Sequence, residues 1–250
     1  MKIKVKKLLI RGLGTLIFLS LLLISFLLNP SLSYAHKTVY KNITIYHQSD
    51  LRPDLLQLID QSLAVVKSSS LYDENFRSDL CLNDGSVYPT LVRRLLGEDV
   101  FTAFSNKAVF LGKDLDEYNH FTLWDRPLKY TQFLTHGWVH NLQYQHHGLW
   151  KANPLGRHPT WRWEGYAEYV TLGQQYTLSD LIKRYQTHEG DMYTWLPLDD
   201  REGTIKLHVK YLIMAQYAFE VKKMDYSSFL AAPEGEEEWF ATILAEYKGD

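Results

Sequence analysis

The hydrophobic pattern divides the chain into a short apolar leader and a longer body in which apolar and polar residues are mixed. Apolar side chains run from Leu16 to Leu28 and are interrupted only by serines. Five basic residues come before this run: Lys2, Lys4, Lys6, Lys7 and Arg11. The small residues Ser33 and Ala35 come after it, at the spacing that signal peptidases cleave. The pattern therefore predicts a secretory signal peptide over residues 1–35, cleaved after Ala35.

An uncleaved membrane anchor is the alternative interpretation of this leader. The apolar run lengthens from 13 to 17 residues when residues 12–15 are included, and that length is close to the lower limit for crossing a bilayer. Both interpretations place the body of the protein outside the cytoplasm, whether it is secreted, periplasmic or anchored with its body facing outside.

In the body, hydrophobic periodicity predicts a sheet-containing lobe over residues 36–125. Residues 42–47 alternate β-branched and polar side chains, as a strand does, and residues 55–66 have the apolar spacing of a helix with one buried face. Further strands are predicted at 76–82 and 108–111, with a short helix at 90–96 between them. This order of elements is typical of a small mixed α+β lobe.

A helical lobe is predicted over residues 126–250. The period becomes helical at Asp125-Arg126-Pro127 and stays so to His147, and a segment rich in Pro and Gly at 149–159 predicts a loop. Later helices are predicted at 160–172, 178–186 and 206–223, with a last helix beginning near Pro233. The predicted fold class is therefore α+β, with a small mixed sheet followed by a mainly helical lobe.

Composition narrows the classes of partner. Without the leader the chain has 22 basic and 29 acidic residues, a net charge of −7. Such a chain gains nothing from counterion release on phosphates, so nucleic acid is not an expected partner. Cys81 is the only cysteine, which excludes an intrachain disulfide, and we expect it to be a buried strand residue.

Two short motifs predict a metal site. His136 and His140 lie four residues apart within Leu-Thr-His-Gly-Trp-Val-His-Asn-Leu-Gln, so a helix presents both imidazoles on one face. Glu164 follows on a second predicted helix, within Trp-Arg-Trp-Glu-Gly-Tyr-Ala-Glu-Tyr, after a gap long enough for a loop and an antiparallel return. Two imidazoles and a carboxylate are a common ligand set for zinc. Glu168 lies one helical turn beyond Glu164 and could accept the free ring N–H of a ligating histidine.

This pair of motifs resembles the gluzincin zinc metallopeptidases, in particular the peptidase MA-like domains. In that family the signature is His-Glu-x-x-His followed by Trp-x-x-Glu-Gly-x-Ala-Glu-Tyr, with a small sheet before it and a helical lobe after it. The resemblance extends over about residues 40–230 in element order, but only the two motif helices match in residues. It implies a zincin-like fold, with His136, His140 and Glu164 as zinc ligands and Glu168 as their support.

The departure from the family pattern is Gly137. The family has a glutamate there, the general base that deprotonates the attacking water, and its loss removes a step worth about 10²- to 10⁴-fold in rate. One interpretation is that the residue type at 137 changed after the constraint on it was lost. The other is that Gly137 leaves a space beside the metal for another base, an ordered water or a carboxylate of the ligand. The replacement bases that the sequence offers are Glu168, Glu189, His146 and His147.

The resemblance also implies residues that contact substrate. Gluzincins use a Tyr or His from the helical lobe to stabilise the oxyanion, and His208 and Tyr211, three residues apart on one predicted helix, are the candidates. An alternative is that both side chains only pack the end of that helix. The strand Val109-Phe110-Leu111 is the candidate for the sheet edge that pairs with an extended peptide.

Three hypotheses about function follow. The first is an extracytoplasmic zinc-binding pseudopeptidase that binds a peptide or protein, with a possible membrane tether through its N-terminal segment. The second is an active secreted zinc metallopeptidase with a displaced base. The third is a helical binding module whose histidines bind no metal. A di-iron membrane desaturase, which also uses His-x-x-x-His, is excluded because no apolar run of useful length follows Leu28.

Overall fold

The structure is a computed structural model that describes residues 2–97, 101–112, 120–123, 126–199 and 203–247. Helices and a small mixed sheet are combined in it, so the predicted α+β class is confirmed. The chain begins with α1 (Lys2–Leu28), followed by a 3₁₀ turn at Pro30–Leu32. In the part of the chain that the structure describes, α1 is the one helix long and apolar enough to cross a membrane, and a signal sequence has the same properties.

A five-stranded sheet forms the centre of the N-terminal lobe. Its strands are β1 (His36–Tyr40), β2 (Ile43–His47), β3 (Ser78–Cys81), β4 (Phe101–Phe104) and β5 (Lys107–Phe110), in the spatial order β1-β2-β3-β5-β4. The three inner strands run parallel, and each edge strand is antiparallel to its neighbour. Two helices lie between strands in sequence: α2 (Leu55–Val66) and α3 (Val87–Leu96).

The periodicity predicted β2, α2, β3 and β5 and missed the two edge strands. Because β5 lies between β3 and β4, the prediction that Val109-Phe110-Leu111 forms the edge of the sheet is wrong. All residues of β5 are buried, whereas those of β4 are half-buried. The true edge near the motif helices is β4, a strand of four residues that is too short to give a clear alternation.

A second correction concerns the start of the first motif helix. β6 (His120–Leu123) and β7 (Arg126–Lys129) pair as antiparallel strands, and α4 runs from Tyr130 to His147. The predicted start at Asp125-Arg126-Pro127 is therefore wrong for Arg126 and Pro127, while Asp125 lies outside the described residues. A proline fits here because a two-stranded hairpin leaves each strand one unpaired side.

The remaining helices form the second lobe. They are α5 (Thr160–Leu172), α6 (Leu178–Thr187), α7 (Lys206–Gln216), α8 (Tyr226–Ala231) and α9 (Glu236–Glu246). A hairpin of β8 (Trp195–Pro197) and β9 (Gly203–Ile205) precedes α7 and was not predicted, nor was α8. The helix predicted at 206–223 is α-helical only to Gln216, and a π-helical turn at Tyr217–Val221 completes it.

The sheet separates two hydrophobic clusters. Successive strand residues point to opposite faces, so Leu80 packs with α2 and α4, whereas Cys81 packs with α3. Cys81 is fully buried, as predicted. On α4, the spacing of Leu134, Trp138 and Leu142 turns these residues to the sheet and leaves the two motif histidines on the opposite side of the helix.

Asn141 joins α4 to the sheet through polar contacts in a fully buried position. Its Oδ1 accepts from the Ser78 hydroxyl at 2.7 Å, and its Nδ2 donates to the carbonyls of Lys107 at 3.0 Å and Ser105 at 3.2 Å. These contacts set the position of α4 against the turn between β4 and β5. The helix that carries both motif histidines is thereby held in place from its sheet side.

We expect Asn141→Ala to lower the free energy of unfolding by about 2–4 kcal/mol, because it removes three side-chain hydrogen bonds at a fully buried position. Chemical denaturation followed by circular dichroism measures the change. Asn75→Ala is the matched control, since Asn75 is exposed, and it should change stability by about 0.5 kcal/mol or less. Equal effects of the two substitutions would contradict this role for Asn141.

Candidate metal centre

Three potential ligand atoms converge between α4 and α5. The Nε2 atoms of His136 and His140 are 2.9 Å apart, and the Oε2 atom of Glu164 lies 3.3 Å from the first and 3.2 Å from the second. A tetrahedral ion with bonds of about 2.0–2.1 Å keeps its ligand atoms about 3.3 Å apart. The three residues that the sequence predicted as ligands are therefore together, in a group that could hold a metal ion.

Polar contacts at the far side of each imidazole orient the two rings. Nδ1 of His140 donates to Oε1 of Gln143 at 2.7 Å, and the amide orientation of Gln143 is set because its Nε2 donates to the carbonyl of Trp163 at 3.0 Å. Nδ1 of His136 lies 3.5 Å from Oε1 of Glu168. Protons on both Nδ1 atoms leave the two Nε2 lone pairs directed at the same point as the carboxylate.

The electrostatics of this group favour a cation. Burial alone would raise the pKa of Glu164, but His140 and His136 hold that pKa well below its ordinary value. Burial would lower the pKa of His140, yet the Glu164 carboxylate and the Gln143 amide raise it. The negative potential that draws a proton to this imidazole would equally draw a metal ion. The donor set thus fits a metal in both geometry and charge.

Gly137 does not leave an open space beside this group. A Cβ atom built on Gly137 would lie 2.1 Å from Cε1 and 2.3 Å from Cζ of Phe101, a residue of edge strand β4. Phe110 packs against the same ring, edge on, with the centroids 4.9 Å apart. The aromatic ring therefore occupies the place where a side chain at 137 would begin, and the expectation of a space for a water or a carboxylate is wrong.

The two oxyanion candidates differ in their surroundings. His208 lines a cavity that opens over the three ligand atoms. Its Nδ1 donates to Oε1 of Glu168 at 2.7 Å, and its ring lies parallel to that of His136, with the centroids 6.1 Å apart. Tyr211 is buried and is not among the cavity-lining residues that the structure describes. Burial and the charge of Glu236 raise the pKa of Tyr211 to about 12, so its phenol stays neutral.

The other replacement bases are distributed differently. Glu168 is buried, and its Oε1 accepts a hydrogen bond from Nδ1 of His208. Glu189 and His146 are exposed and do not line the cavity. His147 faces Tyr226, 3.2 Å from its hydroxyl, and burial and the nearby His146 and His158 lower the pKa of His147 to about 4. None of these last three side chains borders the metal group.

A cavity of about 830 Å³ opens over the three ligands. Edge strand β4 contributes Phe101, Thr102 and Ala103 to its lining. On another side stands Trp163, whose ring lies parallel to those of His140 at 6.2 Å and His158 at 5.5 Å. Such a cleft has the size of a ligand site and is lined by both polar and aromatic groups.

Comparison with protein-family models, with curated proteins and with solved structures found no match to this chain. Function is therefore inferred from the geometry of the site and from the motif residues. Two contributors to that geometry were missed in the sequence. Gln143 could have been found, since it lies three residues after His140 on the same helix face. Phe101 could not, because it comes from a distant strand.

We expect the protein to bind one divalent ion, and His136→Ala or Glu164→Ala to weaken binding by at least 100-fold, because each removes one of three ligands. Isothermal titration with Zn²⁺ and Co²⁺ measures the affinity. His146→Ala is the matched control, since His146 is an exposed histidine on the same helix, and it should bind as the parent does. Binding that survives both ligand substitutions would refute this site.

The orientation of His140 by Gln143 gives a second expectation. Gln143→Ala should weaken metal binding about 10- to 100-fold while leaving all three ligands present, because partners of this kind fix the tautomer and ring direction. The same titration compares it with Gln145→Ala, whose side chain on the same helix bonds the Arg77 carbonyl at the surface instead. Parent-like affinity for Gln143→Ala would mean that His140 needs no such partner.

Proposed function

We propose that this protein is an extracytoplasmic zinc-binding protein of gluzincin metallopeptidase type, which binds a peptide or protein segment and hydrolyses it poorly or not at all. One observation carries the proposal: beside an otherwise complete pair of imidazoles and a carboxylate, the ring of Phe101 stands where the base of the family would begin. The ligand set is retained while the catalytic carboxylate is replaced by an apolar contact.

Zinc is the metal that this ligand set favours. Two histidines and a glutamate are the protein ligands of several catalytic zinc sites. Imidazole nitrogens suit a borderline-soft ion such as Zn²⁺, whereas Mg²⁺ and Ca²⁺ prefer ligand sets made of oxygen atoms. When bound, zinc would supply a Lewis acid that polarises a carbonyl group next to it. His136, His140 and Glu164 would hold it, while Gln143 and Glu168 orient the histidines.

Weak hydrolysis follows from the missing proton acceptor. The contribution of a positioned general base is about 10²- to 10⁴-fold in rate, and Gly137 has no side chain to supply it. Of the replacement bases named from the sequence, only Glu168 lies at the group, and its Oε1 already accepts from His208. A ligand that enters this cleft would accordingly be bound and polarised more readily than cleaved.

An extended peptide is the ligand that the cleft suits. Among the described residues strand β4 is the last strand at this edge of the sheet, and it contributes three consecutive residues to the cavity lining, so its outer side can pair with a peptide backbone. The aromatic wall at Trp163 and His158 faces the same cavity and offers a surface for an apolar side chain. Both features lie beside the metal ligands.

An active peptidase with a displaced base is the second candidate. The observation in its favour is the pair of Glu168 and His208, in which a buried carboxylate fixes the tautomer of a cavity-lining imidazole. That pair has the arrangement of a carboxylate-oriented histidine base. The third hypothesis, a module without metal, is weakened by the convergence of three ligand atoms within 3.3 Å.

We expect the parent to show no zinc-dependent cleavage of a quenched fluorescent peptide library. Gly137→Glu alone should add little, because the new side chain collides with the Phe101 ring. Phe101→Ala/Gly137→Glu, which removes that collision, should raise zinc-dependent hydrolysis at least 10- to 100-fold over the parent. The measurement is initial rate with and without chelator, on proteins whose zinc content has been confirmed.

Two controls separate the candidate functions. Phe101→Ala alone should stay inert, since it opens space without adding a base. A parent that cleaves peptides in a chelator-sensitive way, with activity lost in His208→Ala but kept in His146→Ala, would replace the pseudopeptidase proposal with the displaced-base peptidase.

Peptides enriched by binding to the zinc-loaded parent should bind Ala103→Arg at least 10-fold more weakly, because that side chain would fill the cavity beside β4.

A further inference from the structure

The last ten residues of the predicted signal peptide are built into the folded domain. Tyr34 is 8% exposed, and its ring contacts those of Tyr46 and Tyr88 at 5.9 Å each. Its hydroxyl donates to the carbonyl of Leu82 at 2.7 Å. Pro30 is also buried. Residues that a signal peptidase removes contribute nothing to the mature fold, whereas these fill part of the hydrophobic cluster on the α3 face of the sheet.

Hydrogen bonds join the same segment to the domain along its length. The hydroxyl of Ser86, which caps α3, donates to the carbonyl of Ser33 at 2.9 Å, and the hydroxyl of Tyr88 donates to the carbonyl of Leu27 at 2.5 Å. The backbone N–H of Ala35 donates to Oε1 of Gln48 at 2.9 Å. The connection thus extends from the last turn of α1 to the start of β1.

The rest of α1 has the opposite surroundings. The apolar stretch Arg11–Leu28 is 18 residues long, and apart from Phe26 and Leu27, which are half-buried against the domain, its residues are exposed. As a helix it is about 27 Å long, close to the thickness of the hydrocarbon core of a bilayer. Lipid is the environment that would cover these side chains.

We propose that α1 is retained as a membrane anchor and that residues 26–35 seat the α3 side of the domain directly on the lipid surface. Only residues 29–35 separate the apolar helix from β1, and they are folded against the domain, so no flexible linker intervenes. Leu32 and Val87, 65% and 66% exposed, each adjoin one of the hydrogen-bonded serines and would lie at the lipid interface. The basic residues before α1's apolar stretch would stay on the cytoplasmic side.

Processing is the first test, and it needs no destabilising variant. The full chain is expressed in a bacterial host with a C-terminal tag, and the membrane and soluble fractions are analysed by intact mass spectrometry. We expect the 250-residue chain, in membranes, resistant to a carbonate wash and released by detergent. Ala35→Arg, which blocks cleavage after residue 35, should give the same result. A soluble parent that begins at His36 would overturn the proposal.

The role of the junction in the fold is tested by heating the detergent-solubilised full chain. Tyr34→Ala should lower Tm by about 10 °C, given the usual effect of truncating a buried aromatic residue in a domain of this size. Tyr193→Ala is the matched control, since Tyr193 is 75% exposed, and should shift Tm by at most about 2 °C. Tyr34→Phe, which retains the ring, covers the case in which Tyr34→Ala does not fold and should lose only a few degrees. Equal Tm values for Tyr34→Ala and the parent would refute a structural junction.

Contact with lipid is tested by a fluorophore on the full chain in nanodiscs. Cys81 is fully buried, so a polarity-sensitive thiol probe can be directed to Val87→Cys and, as a control, to Tyr193→Cys. We expect blue-shifted emission for the probe at 87, quenched by spin-labelled lipid, and neither effect at 193. Equal emission and quenching at both positions would show that the domain does not sit on the membrane. None of these measurements depends on metal or peptide binding.

Discussion

The site depends on one constraint, the convergence of two imidazole nitrogens and a carboxylate oxygen between α4 and α5. Electron-rich atoms about 3 Å apart in a partly buried place are unfavourable unless a proton or a metal ion lies among them. The protein holds them there by contacts behind each helix. Asn141 ties α4 to the sheet, and Gly165 lets α5 approach α7, where an added Cβ would lie 2.8 Å from the carbonyl oxygen of Tyr211. Packing therefore sets the positions of these three atoms without the help of a bound ligand.

The same close packing determines what chemistry is possible. Strand β4 approaches α4 so closely that the ring of Phe101 touches the backbone at Gly137. A glycine within a helix costs about 1 kcal/mol relative to alanine, and covering part of an aromatic ring offsets a cost of that size. Glycine and phenylalanine therefore form one contact across two elements. A glutamate at 137 requires the ring at 101 to move or to be replaced, so the loss of the base is coupled to the sheet edge.

The sequence predicted the features of the site that lie within a single helix. The ligands on α4 follow from the 3.6-residue period, and Glu164 and Glu168 repeat that spacing on α5. The features that needed pairing between distinct segments were missed. α4 begins at Tyr130 because residues 126–129 pair with β6 as a strand, and β5 is an inner strand because the four-residue β4 pairs with its outer side. The Phe101 contact joins residues 36 positions apart, and no local pattern encodes it.

The two faces of the sheet separate the proposed membrane contact from the candidate site. The leader enters at β1 and packs on the face that carries α3, whereas α4 and its histidines lie on the other face, beside the opposite edge strand β4. Four strand spacings of about 4.8 Å place the two edges about 19 Å apart. A domain seated on lipid by its α3 side would thus keep the cleft clear of the headgroups. Its ligands would then be peptide segments in the aqueous space or in the outer parts of neighbouring membrane proteins. Because the segment between α1 and β1 is short and folded, the cleft would reach only ligands close to the membrane.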